Sequence, residues 1–221
     1  MLTLSEQKEK IIMLMEYAVP EDDRAAAVDL VEKHGADIIA LNLFYTFYSH
    51  LPEGREDRVR ILRLLARREG VFLLGATTLI EDYLYVVSTE MAVFLGRASD
   101  GIMDKELLGF LGLKDRNESI ERFKDFDGCK VYKPGYLDGE LCPVCFVADS
   151  EYHVFGCPVE VCPWCGGQLS RCDCRFEQLG TNSLDSESEL DEFYGKVNEK
   201  GRVLYDAAAH RPAYHADDEE D

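Results

Sequence analysis

Seven of the eight cysteines in this 221-residue chain fall within the 33 residues from Cys142 to Cys174. The segment reads Cys142-Pro-Val-Cys145, then His153 and Cys157, then Cys162-Pro-Trp-Cys165-Gly-Gly, then Cys172-Asp-Cys174. A Cys-x-x-Cys pair suits a single metal ion because the tight turn between the two residues points both sulfurs the same way. Proline preorganises that turn. Glycine after the second cysteine lets the backbone fold amide N–H groups toward the sulfurs, which stabilises thiolate charge. Four thiolates at about 2.3 Å around zinc form a closed tetrahedral site, the usual structural arrangement. Disulfides are the competing use of so many cysteines. The opening residues Met1 to Lys8 lack the basic-then-apolar order of a secretory leader, and in a reducing compartment a cluster of this kind binds metal.

The two Cys-Pro-x-Cys couples, the second followed by Gly166-Gly167, resemble a zinc ribbon with rubredoxin-type knuckles. The string from His153 to Cys174 also resembles cysteine-rich segments of uncharacterised bacterial proteins. The ribbon resemblance covers roughly 35 residues and implies a small β unit with Cys142, Cys145, Cys162 and Cys165 on one zinc ion. His153, Cys157, Cys172 and Cys174 are then left to each other, which gives two interleaved sites like the cross-brace of RING-like domains. Iron fits the same sulfur geometry. The extra cysteines and the histidine favour zinc over a redox iron site. A ribbon carries no activity of its own, since ribbons serve enzymes, transcription factors and adaptors alike.

Other chemistry finds little support. The deaminase signature needs His-x-Glu before the cysteine pair, whereas His153 is followed by Val-Phe and Glu160 comes after Cys157. There is no His-Glu-x-x-His, no Gly-x-x-x-x-Gly-Lys and no Gly-x-Ser-x-Gly, and His34, His50, His210 and His215 have no evident nucleophile beside them. An enzyme is therefore not the favoured reading. The basic residues concentrate between Arg55 and Arg68, where Arg60, Arg63 and Arg67 at i, i+3 and i+7 share a face if the segment is helical. That face could grip phosphate or an acidic partner, or it could be a solvated surface paired with Glu56, Asp57 and Glu69.

The net charge of −19 bears on partners. Residues 1–125 hold 23 acids and 16 bases, residues 126–175 hold 7 and 4, and residues 176–221 hold 13 and 4. Nearly half the excess thus sits in the last fifth of the chain. An acidic surface repels phosphate backbones and disfavours nucleic acid as a partner. The longest apolar stretch, Val71 to Leu95, is interrupted by Glu81, Asp82 and Glu90, so no membrane span is expected. The expectation is a cytoplasmic protein that holds one or two zinc ions and binds another protein, with a nucleic-acid-associated regulator using the ribbon or the Arg55–Arg68 face as the alternative and a redox or catalytic metal protein as the second.

The cysteines must be positioned by elements that read as mainly α with a small β zinc-ribbon-like subdomain. Residues 1–126 read as a helical domain. Thr3 and Glu6 have capping-box spacing, Pro20 opens a second helix, and residues 36–50 are apolar on nearly every face. Residues 55–69 show Val59, Leu62, Leu65 and Ala66 on one helical face, and Val71 to about Leu95 reads as a buried helix with a strand as the alternative for Val71 to Leu74. Shorter helices are expected over Ile102 to Leu113 and Ser119 to Phe126. Residues 127–178 form the zinc-binding β subdomain. Residues 179–215 form a linker and a docked C-terminal helix, opened by the capping box Ser186/Glu189. Residues 216–221, Ala-Asp-Asp-Glu-Glu-Asp, make a tail too charged to pack. No internal repeat is evident.

Overall fold

The computed structural model describes residues 3–52, 54–126, 128–134 and 139–210. The acidic tail at 216–221 and His215 lie outside them. The chain divides into two compact units, Met1–Leu137 and Asp138–Asp221. No described helix is long and apolar enough to cross a membrane.

The first unit opens with three helices: α1 (Leu4–Ala18), α2 (Glu21–Lys33) and α3 (Ile38–Ser49). The Thr3/Glu6 capping box forms, with the Glu6 amide donating to Thr3 Oγ1 at 3.2 Å and the Thr3 amide donating to Glu6 Oε2 at 2.7 Å. Asp37 caps α3 by accepting from the Ile39 amide. A five-stranded antiparallel sheet follows, not the helices that the apolar spacing suggested. It consists of β1 (Val59–Arg68), β2 (Val71–Thr78), β3 (Asp82–Val87), β4 (Ala92–Arg97) and β5 (Lys130–Val131), in the spatial order β4-β3-β2-β1-β5. The protein is therefore an α+β mixture built on this sheet, and the mainly α reading is corrected.

The physical reasons are local. In β1 the register with β2 slips between Val59 and Ile61 and again between Leu64 and Ala66. Each bulge adds a residue, so the buried positions Val59, Leu62 and Leu65 recur every three residues and imitate a helix. The turn from β1 to β2 is Glu69-Gly70, with φ of 51° and 77° between the paired residues Arg68 and Val71. That is the two-residue hairpin turn with both central residues left-handed. Strands β2 and β3 are buried at consecutive positions because both of their faces are covered, which removes the alternation that marks a half-exposed strand. On one face Leu65, Leu73 and Leu84 pack with Ala98, Ile102, Leu108 and Phe123. These come from a 3-10 turn at Ala98–Asp100, from α4 (Lys105–Phe110) and α5 (Arg116–Phe123), and from the segments beside them. On the other face α3 lies against β3 and β4, with Phe47 6.4 Å from Tyr83 between ring centroids.

Arg60, Arg63 and Arg67 sit on this bulged strand, so the helical face they were expected to share does not exist. The Arg63 guanidinium donates to the Cys129 carbonyl at 3.0 Å, Arg58 pairs with Asp23 at 2.6 Å, and Arg68 donates to the Phe110 carbonyl at 2.8 Å. Much of the basic run thus ties the first unit together.

Gly75, in the middle of β2, lies under the buried Phe126 ring. A Cβ there would come within 2.5 Å of the ring. Gly75→Ala is expected to lower the stability of the first unit by about 1–3 kcal/mol through overpacking. Urea unfolding of the variant checks this, and adding Phe126→Leu should recover part of the loss.

Candidate metal centres

The second unit contains little regular structure. Helix α6 (Cys174–Leu179) and helix α7 (Glu187–Lys200) follow two tight cysteine loops. In the first loop the Phe146 amide donates to the Cys142 carbonyl at 3.0 Å and the Cys142 amide to the Val147 carbonyl at 2.9 Å. In the second, the Gly166 amide donates to the Cys162 carbonyl at 2.9 Å and the Cys162 amide to the Gly167 carbonyl at 2.7 Å. Each loop is closed by one isolated bridge, Leu141 with Ala148 and Val161 with Gln168. The residue after the second cysteine is left-handed in both, at φ 58° for Phe146 and 75° for Gly166. Glycine takes this conformation freely. Phe146 takes it at a cost, and its 6% exposure shows what offsets that cost. The same knuckle therefore occurs twice, 20 residues apart. The two Cys-Pro-x-Cys couples are evident in the residue types, but the shared backbone after them is not, because the αL position holds Phe in one copy and Gly in the other.

The ligand sets are sequential and not interleaved. Cys142, Cys145, His153 and Cys157 form one group, and Cys162, Cys165, Cys172 and Cys174 form the other, with the candidate ligand atoms of each group within 4.8 Å of one another. The structure thus brings the first Cys-Pro-x-Cys couple together with His153 and Cys157 and the second with Cys172 and Cys174, and not the two couples with each other. Each knuckle turns back on itself within about ten residues and meets the next ligands along the chain before the other knuckle begins. The grouping also accounts for the tight Cys172-x-Cys174 spacing. Cys174 starts α6, and the chain reverses between Leu169 and Cys172, where the Cys172 amide donates to the Gln168 carbonyl.

The first group has the dimensions of a tetrahedral ion site. Cys142 Sγ and Cys157 Sγ are 3.8 Å apart. That matches the edge of about 3.8 Å for a tetrahedron whose corners lie about 2.3 Å from a central ion. Cys145 Sγ and His153 Nδ1 are 3.3 Å apart, so Nδ1 is the imidazole atom that faces the sulfurs. The His153 ring is held edge-on by Tyr205 at 5.0 Å, and its Nε2 is buried with no hydrogen-bond partner among the described residues. None of the eight cysteines is joined in a disulfide.

Electrostatics in the two groups point the same way. In the first, hydrogen bonds from Cys145 and Cys157 hold the Cys142 thiol far below its ordinary range, while the hydrogen bond to Cys142 keeps the Cys157 proton in place. Burial alone lowers His153, but hydrogen bonds to Cys142 and Cys145 outweigh it and lift the imidazole to about 9. In the second group the Gly167 amide lowers Cys165, while burial and the neighbouring thiols push Cys172 to about 11 and Cys174 to about 12. In each group one thiol is lowered while neighbouring thiols are raised. A cation at the centre would favour the thiolates and displace the protons that remain.

Each group is the centre of a small apolar cluster. The first packs with Val147, Val159 and Tyr205, and the second with Leu169, Phe193 and Val197. Phe193 and Val197 lie on α7, which begins at the Ser186/Glu189 capping box as the spacing indicates. The chain after α7 then returns to the first group. The Tyr205 amide donates to the Glu151 carbonyl and the Ser150 amide to the Tyr205 carbonyl, both at 2.8 Å. Between the two groups stands Glu160, 1% exposed. Its Oε1 accepts from Arg202 Nε at 2.9 Å and Nη2 at 2.6 Å, and Arg202 also donates to the His153 carbonyl. The guanidinium lies 3.8 Å from the centre of the Phe155 ring. Residue types alone did not single out Glu160, Arg202 or Tyr205. The available signal was one arginine placed just after the helix that follows the cysteines.

No family model matches the chain, and no curated protein or solved structure matches it either.

Proposed function

We propose that this is a non-enzymatic zinc protein that acts by binding another protein, with two zinc ions serving to fold its second unit. The observation that carries this reading is that each ligand group is a complete set of four and is also the middle of a hydrophobic cluster. Four protein ligands leave no open position for a substrate or an activated water, which is the difference between a structural and a catalytic zinc site. Thiolates with one imidazole suit zinc, and its lack of redox chemistry suits a scaffold role. The clusters are too small to order the unit alone. Apart from ligands, the first contains only Val147, Val159 and Tyr205 as buried apolar members. Metal binding must therefore supply the folding free energy. Eight cysteines without a disulfide fit a reducing compartment such as the cytosol.

Elemental analysis of protein purified without added metal is expected to give two zinc ions per chain and no iron. A strong chelator should collapse the near-ultraviolet signal of Tyr205 and Trp164 while the strand signal of the first unit persists. A metal-free chain that retains that tertiary signal, or sulfurs joined as disulfides, would overturn the reading.

A further inference from the structure

The first unit carries a feature that the metal groups leave unused. Strand β4 is an edge of the sheet, and among the described residues no strand pairs with its outer side. Edge strands ordinarily carry lysine, proline or inward charge that discourages pairing with another chain. This one reads Ala-Val-Phe-Leu-Gly-Arg, and Val93 and Phe94 are 45% and 51% exposed, with Met91 just before it at 59%. Beside it runs a cavity of about 860 Å³ between the C-terminal half of α3 and the strands β3 and β4. Its walls include Phe47, Tyr83, Tyr85 and Phe94, and the Phe94 ring lies 5.6 Å from Tyr83 and 5.4 Å from Tyr85. A helix beside an edge strand makes a trough of the kind that accepts an added strand. Thr46 Oγ1 of α3 already donates to the Ala92 carbonyl at 3.4 Å, so a guest backbone extends the ladder along the rest of β4, and every second side chain enters the trough.

The trough is also polarised. Arg97 is the cross-strand partner of Tyr83, and the Arg55 guanidinium donates to Tyr83 Oη at 3.0 Å, so two cations flank one end. Asp100 also lines the cavity. Glu81 approaches Arg97 only to 3.8 Å, with both side chains substantially exposed. Glu90, in the turn between β3 and β4, marks the other end. We infer that this trough binds an extended apolar peptide segment of a partner protein by strand addition to β4, with an acidic group of the peptide against Arg55 and Arg97. The inference rests on the reading of the chain as a protein-binding protein and locates the contact. It does not depend on the metal.

The test uses the full-length, zinc-loaded protein and a phage-displayed library of random dodecapeptides. Selection is expected to enrich peptides with apolar residues at alternate positions and an acid near one end. A selected peptide should shift the amide resonances of residues 91–97 and of the C-terminal half of α3. Val93→Lys, at an exposed edge position, should weaken its binding at least tenfold, and Arg55→Glu with Arg97→Glu should reverse the preference for an acid. Failure to enrich, or peptides that leave the β4 amides unshifted, overturns the inference. So does a self-associated wild-type protein that Val93→Lys converts to monomer, because a second copy is then the occupant. Two zinc ions per chain with no peptide at β4 would defeat the trough assignment alone. Loss of the zinc result would defeat the metal reading alone.

Discussion

Cys142→Ser is expected to remove one of two zinc ions and unfold the first knuckle. A serine hydroxyl does not ionise near neutral pH and is a poor ligand beside two thiolates and an imidazole, so the tetrahedral set is broken. The lost contribution is large. Structural zinc binds zinc-finger peptides with about 10–16 kcal/mol of apparent free energy, while whole domains are stable by only about 5–15 kcal/mol. The few apolar residues around this group cannot replace that. The protein should retain one zinc ion, lose the near-ultraviolet signal of Tyr205, and become sensitive to proteolysis between Gly139 and Glu160. The second group has its own four ligands and its own packing against α7, so it should keep its metal. The double variant Cys142→Ser/Cys157→Ser separates the two possible ligand assignments. Sequential groups predict one remaining zinc ion, because both substitutions fall in the same site. Interleaved groups predict none, because each site then loses a ligand.

That distinction marks where the residue pattern stopped being legible. Eight ligands of the right type, and the two Cys-Pro-x-Cys turns, could be read from spacing because a tight turn is a local property. Which couples share an ion depends on how the chain travels between them. Here the reversals at Ala148–Glu151 and Gln168–Arg171 return each knuckle to its own next ligands. The helices α1, α3 and α7 were legible for the same local reason. Thr3/Glu6 and Ser186/Glu189 form capping boxes, and residues 38–49 are a breaker-free run apolar on nearly every face. The sheet was not legible because two bulges in β1 reset its period from two to three and because β2 and β3 are covered on both faces. β-branched and aromatic residues in Val71–Thr78 and Asp82–Val87, with Glu69-Gly70 as a turn, were the signals that should have weighed against a helix. The trough beside β4 follows from that sheet. A helical segment offers no such trough, because it is made by a sheet edge.

Arg202→Met should destabilise the second unit by about 3–5 kcal/mol, the cost of leaving a buried ion-pair partner unmatched. Glu160 is almost wholly buried, and its carboxyl already lies above its ordinary 4.5 because burial outweighs the hydrogen bonds and charge of Arg202. Without the guanidinium the carboxylate keeps only the penalty. The sign of the pH dependence follows from this. A carboxyl whose folded pKa is raised stabilises the fold most below the unfolded value and loses that contribution as pH rises through the folded value. The deficit of Arg202→Met relative to wild type should therefore widen as pH rises above about 4.5, within the range where zinc stays bound. The charge is the larger part of the effect, because methionine retains most of the packing on Phe155. Glu160→Gln placed on top of Arg202→Met should then recover most of the loss, since a neutral amide is far cheaper to bury than a carboxylate. Urea unfolding of zinc-loaded proteins, with metal content checked at two per chain, measures each arm. Equal stabilities for wild type and Arg202→Met would mean that Glu160 finds another partner. Zinc loss in Arg202→Met alone would instead mean that the pair acts chiefly by holding the His153 carbonyl, and with it the first ligand set, in place.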